Sequence, residues 1–178
     1  MRWVFKVCVT ILIMTAITLL QVAVREFFPF PFNRINIIFL SLVWLMLFTN
    51  STSVLWVVLP PTFLIELFSP LPFGLNSLSL IVGLLVASWL LVVLFTNHSS
   101  SIAFVVGMIG MTVYRLVFLL FLCIASFLHY RIVFSSNIAL EWLAEIFLTN
   151  VLLVMVYFLS QRFFKRLQPQ YVKLHPLT

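Results

Sequence analysis

Three ionisable residues stand inside long apolar runs: Glu66, Arg115 and Glu145. A charge at depth in hydrocarbon is expensive, so such residues face a bundle interior and meet a partner there. Arginine and carboxylate suit one another in that setting, because the guanidinium fork can engage both carboxylate oxygens. The expected arrangement is a buried cluster in which Arg115 pairs with Glu66, Glu145 or both. Its plainest use is to fix helix register. Its sharper use is a polar site for a ligand or partner. Enzyme chemistry is harder to write. The chain has no Asp, so a Ser-His-Asp triad and Asp-based metal sites or proton relays are not expected. There is no Gly-rich phosphate loop and no HExxH motif. His98 lies in a loop and His129 near an interface beside Tyr130 and Arg131, neither close in sequence to Cys or another His. Cys8 and Cys123 fall in apolar runs, where a thiol behaves as a small hydrophobe. No catalytic residue, cofactor or metal is expected.

The elements that must position these residues are set by composition. Of 178 residues, 64% are hydrophobic and 8% charged, with a mean hydropathy of +1.25. A soluble domain carries about 25% charged residues, so this chain lacks the polar groups to cover a water-facing surface. A crossing of a hydrocarbon core of about 30 Å takes roughly 20 apolar residues. The chain therefore reads as an all-α integral membrane protein, one domain over 1–178, with about six transmembrane helices in a bundle. The net charge of +6 and pI near 9.9 do not imply nucleic acid. The basic residues gather at the ends of apolar runs, where they anchor a protein to anionic leaflets and set topology.

The expected helices are 3–24, 35–48, 54–68, 75–95, 102–130 and 138–159, with a basic tail at 160–178. The first could pass for a signal peptide, but its apolar run is long and Gln21 to Arg25 makes a poor cleavage site, so it reads as a retained helix. Phe27 to Phe32, aromatic and broken by Pro29 and Pro31, suits an interfacial loop. Helices two and three are short and joined by the polar turn Thr49 to Ser53. Two crossings are favoured over a re-entrant hairpin. Pro60 and Pro61 should kink the third helix, since each removes a backbone donor. Pro70, Pro72 and Gly74 shape a stiff, uncharged loop before helix four. The Phe48-Thr49-Asn50-Ser51 turn is echoed at Phe95-Thr96-Asn97, most simply as shared capping chemistry. With six crossings, Arg2, Lys6, Arg162, Lys165, Arg166 and Lys173 share one side, and Arg25, Arg34 and Arg131 the other. That excess puts both termini in the cytoplasm.

Depth follows from the helical rise. Glu66 lies roughly 22 Å above the inner turn at Ser51, and Arg115 roughly 21 Å above Ser101. Glu145 lies roughly 12 Å below the outer end at Asn137. All three fall in the outer half. Small residues at interface spacing, Gly83 and Ala87 on helix four and Ala103, Gly107 and Gly110 on helix five, let backbones approach closely. Internal packing is the plain reading of them, and docking onto another membrane protein the sharper one.

Two functions suit such a chain. One is a scaffold or accessory subunit that holds membrane proteins together through its helix faces. The other is the substrate-binding subunit of an energy-coupling-factor type vitamin transporter. Those subunits are also six-helix chains of this size, usually with an Ala-xxx-Ala docking face on the first helix. Here that helix offers Ala16 and Ala23 instead. The uptake reading predicts a ligand cavity open to the outer face. The scaffold reading predicts a filled core or a lipid-facing groove.

The stretch Leu64-Ile65-Glu66-Leu67-Phe68-Ser69-Pro70-Leu71-Pro72-Phe73-Gly74-Leu75 puts an acidic residue near a helix end, then a short stiff loop and the next helix. With the hydropathy layout across about 3–165, it resembles the rod shape-determining protein MreD family. The resemblance implies a non-enzymatic subunit of the bacterial elongation machinery in the inner membrane. The implied partners are an MreC-like single-span protein, the MreB filament and the lateral-wall peptidoglycan synthases.

Overall fold

The structure, a computed structural model, describes residues 2–49, 57, 59–69, 72–93, 100–127 and 137–167. Among these the chain is all helical. Six α-helices form: α1 (Arg2–Phe27), α2 (Ile37–Thr49), α3 (Leu59–Leu67), α4 (Leu75–Val93), α5 (Ser100–Phe127) and α6 (Ile138–Leu167), with a 3-10 turn at Phe32–Arg34. Leu75–Val93, Ser101–Phe127 and Ile138–Phe163 are long and apolar enough to cross a membrane.

The packing suits a lipid surrounding. On α6 the buried face carries Glu145, Thr149 and Asn150, followed by Leu153 and Tyr157. The opposite face carries Leu143, Phe147, Val151, Met155 and Phe158, all exposed. Water would reverse that assignment. In hydrocarbon it is favourable, because polar groups must find partners inside the bundle while apolar side chains lose nothing by facing out.

α2 is the central helix. It packs against α1, α4, α5 and α6, and Ile38, Phe39, Leu42, Val43, Met46 and Leu47 are buried along it. It has 13 residues, about 20 Å of rise, which is less than the roughly 30 Å of a hydrocarbon core. α1 packs on α2 and α3, α6 on α5 and α2, and α3 on α1 and α4. The tightest pair is α4 with α5. A methyl added at Gly83 would lie 2.7 Å from Tyr114 Cβ and 2.8 Å from the Gly110 carbonyl oxygen. One at Gly110 would lie 3.1 Å from Ala87 Cβ and 3.0 Å from Phe39. Gly107 faces α6 instead, where a methyl would strike Asn150 and stand 2.7 Å from Leu153. Ala87 and Ala103 are fully buried. The small-residue face is thus covered within the chain.

Several boundaries move. α1 runs on to Phe27 because Arg25 and Glu26 are good helix formers, and only Pro29 ends the run. α6 continues to Leu167, eight residues beyond Leu159. Its basic end is itself helix-forming, and cations suit a helix C-terminus. The aromatic loop holds the 3-10 turn, and Asn36 ends it by accepting a hydrogen bond from Phe39 N at 3.0 Å as the N-cap of α2. Pro60 and Pro61 are the second and third residues of α3 as described, so the stretch in which a kink would show lies outside the described residues. So do the two echoed turns beyond Thr49, Pro70, His98, His129, Arg131 and the tail from 168.

Candidate functional site: a charged cavity at one end of the bundle

The site begins with the backbone entering α2. Gln21, buried on α1, donates from Nε2 to the Ile35 carbonyl at 2.8 Å and accepts from Ile37 N at 2.5 Å. The Asn36 backbone N–H donates to Thr149 Oγ1 at 3.0 Å, and its side-chain amide donates to Glu145 Oε1 at 3.3 Å. A helix start carries unmet N–H groups. Here, away from water, α1 and α6 supply the acceptors. Glu145 then turns its other oxygen, Oε2, to Arg115 Nη2. The Arg115 guanidinium also lies 5.0 Å from the Tyr114 ring, 5.5 Å from Phe118 and 5.8 Å from Trp142. Aromatic faces stabilise a cation electrostatically. Arg115 Nε is buried without a hydrogen-bond partner.

Of the three ionisable residues expected to cluster, the structure brings two together. Glu66 is a correction to that cluster. Its Oε1 accepts from Gly74 N and Ser77 N, each at 2.9 Å, and from the Ser77 hydroxyl at 2.8 Å. The reason is lateral. α3 packs on α1 and α4, so Glu66 faces those helices rather than Arg115 on α5 and Glu145 on α6. Gly74, at φ +97°, has no side chain to cap α4, and the carboxylate from α3 does that work. Pro72 precedes it and accepts from Leu75 N at 3.4 Å. We expect Glu66→Ala to cost about 2 kcal/mol or more, since it strands two N–H groups, and Glu66→Gln to cost less by keeping an acceptor. Thermal unfolding in detergent reads this. An alanine variant as stable as the parent would refute the capping role.

Above the start of α2 the bundle holds a cavity of about 710 Å³. That is within the range of ligand pockets, about 300–1,000 Å³. Gln21, Arg25 and Glu26 line it from α1, and Tyr114, Arg115 and Phe118 from α5. α6 gives Glu141, Trp142 and Glu145, and the connecting segment gives Asn33 and Arg34. Asn76 at the start of α4 also faces it and accepts from the Tyr114 hydroxyl at 2.8 Å. Arg34 and Glu141 form a second ion pair at 3.0 Å, partly exposed. The cavity lies beyond the N-terminal end of the central helix, which begins at Ile37.

Sequence reasoning did not single out Gln21, Asn36, Thr149 or Arg34 with Glu141 as site residues. Asn36 had a usable signal, an N-cap residue directly before an apolar run. Gln21 and Thr149 had only their polarity within apolar helices. Among the described residues no group of His, Cys, Asp and Glu could hold a metal ion. Comparison with known protein families, with curated proteins and with solved structures gave no match to this chain.

Proposed function

We propose that this chain is a non-enzymatic, MreD-like accessory subunit of the bacterial cell-shape machinery. On this reading it is a six-span bundle in the inner membrane with both termini cytoplasmic. The cavity end faces outward, and the chain holds an MreC-like protein, the wall synthases and the MreB filament in one assembly. One observation carries the reading. Within the MreD-like stretch Glu66 accepts from Gly74 N, and just beyond it from the Ser77 N–H and hydroxyl. An acidic residue and a glycine at that spacing therefore have a common structural purpose. The filled lower core around α2 also suits a scaffold.

Affinity purification of the tagged chain from its own membranes in mild detergent, with mass spectrometry, tests this. An MreC-like protein or wall synthases should co-purify. A transmembrane coupling subunit with its ATPases would sink the proposal and establish the second reading, a vitamin-transporter binding subunit. The cavity is the observation in favour of that second reading.

The orientation has its own test. A cysteine placed at the exposed Asn137, in a chain with Cys8 and Cys123 replaced by Ala, should react with an impermeant maleimide on intact spheroplasts. Labelling only after permeabilisation would invert the topology.

A further inference from the structure

We propose that the end cavity binds a zwitterion, an anionic phosphate or carboxylate joined by a short linker to an ammonium group. This goes beyond both functional readings and depends on neither. The argument starts from the charges on the wall. Arg25, Arg34 and Arg115 line the cavity, and so do Glu26, Glu141 and Glu145. Three positive groups face three negative ones, so a net anion or a net cation would meet as much repulsion as attraction. A zwitterion can place each end against its opposite.

The wall also divides by depth. Arg115 is the deep cation, with 13% of its side chain exposed. Of its five N–H donors, Nη2 is engaged in an ion pair and Nε is buried away from the cavity, which leaves the other terminal donors to a ligand. It is a guanidinium with donors to spare, held by three aromatic rings. That environment suits an oxyanion, which accepts charge-assisted hydrogen bonds from such a fork. Glu145, beside it, already accepts from both Arg115 and Asn36. At the mouth stand Arg25 and Glu26, both exposed, and no ion pair engages either among the described residues. Glu141, which also lines the cavity, is paired with Arg34, so Glu26 is the carboxylate left to an ammonium. The anionic end therefore goes inward to Arg115, with Arg25 assisting, and the ammonium stays near the mouth.

Two sources carry this chemistry: a free solute, and the headgroup of an aminophospholipid whose chains remain in the bilayer. The experiment separates them. The full chain, purified in maltoside detergent, is titrated calorimetrically with glycerophosphoethanolamine, glycerol phosphate and ethanolamine. In parallel, it is reconstituted in nanodiscs of phosphatidylethanolamine or phosphatidylglycerol, and retained lipid is read by native mass spectrometry. The zwitterion should bind saturably and more tightly than either half. Arg25→Gln and Glu26→Gln should each weaken it about tenfold, as loss of one charge-assisted contact implies. Both residues are exposed, so the variants keep the fold. Retention of phosphatidylethanolamine over phosphatidylglycerol, lost in the same variants, with no binding of the free compound, would assign the lipid as the source. Equal or tighter binding of glycerol phosphate, unchanged binding in both variants, or no binding in either arm would overturn the proposal.

Discussion

Glu145→Gln alone should destabilise the bundle by about 3–5 kcal/mol, and adding Arg115→Met should return most of that loss. The asymmetry follows from what each change leaves behind. Glutamine keeps an acceptor for the Asn36 amide, which reaches Oε1 at 3.3 Å, but strands the guanidinium without its counter-charge. Glu145 is 2% exposed and Arg115 13% by side chain, so water from the cavity replaces only part of the lost partner. Methionine then removes the stranded charge while still filling space against Tyr114, Phe118 and Trp142. Unfolding of the two single variants and the double variant in bicelles closes a double-mutant cycle. Strictly additive losses would mean that the two side chains do not depend on one another.

Gly83→Ala should cost about 1–3 kcal/mol, out of proportion to one methyl group. The new Cβ would meet Tyr114 Cβ at 2.7 Å and the Gly110 carbonyl oxygen at 2.8 Å. Neither is the end of a flexible side chain, so α4 and α5 must move apart. Their separation would also stretch the Tyr114–Asn76 hydrogen bond at the cavity wall. Trp89→Leu, on the exposed face of the same helix, is the control and should change little. If the two variants melt together, the close approach of α4 and α5 does not contribute as described.

Much of this was legible in the sequence and some was not, for identifiable reasons. Composition gave an all-helical chain with helices apolar enough to cross a membrane, and apolar run length gave most helix spans. Rise per residue put Glu66 and Arg115 at one height. It could not give azimuth, which is set by helix neighbours, and so Glu66 was grouped with a partner it does not touch. Arginine, lysine and glutamate are good helix formers, so Arg25 and Arg162 lie inside helices that apolar run length alone ends at Val24 and Leu159. The cavity left no signature of its own in the sequence. It depends on where α2 begins, at Ile37, together with that helix's central position, and only the first of these is local information.

The links made by Asn36 have a consequence for biogenesis. Its contacts to Glu145 and Thr149 join residues 109 and 113 positions apart. Helices emerge from a ribosome in order, so α2 reaches the membrane long before α6. During that interval the central helix lacks two of its polar partners, and Arg115 lacks its carboxylate once α5 has entered. The polar end of the bundle therefore closes last, when α6 arrives. A chain cut short before α6 would present exposed polar groups within the bilayer, the kind of signal by which membrane quality control recognises an orphan for degradation.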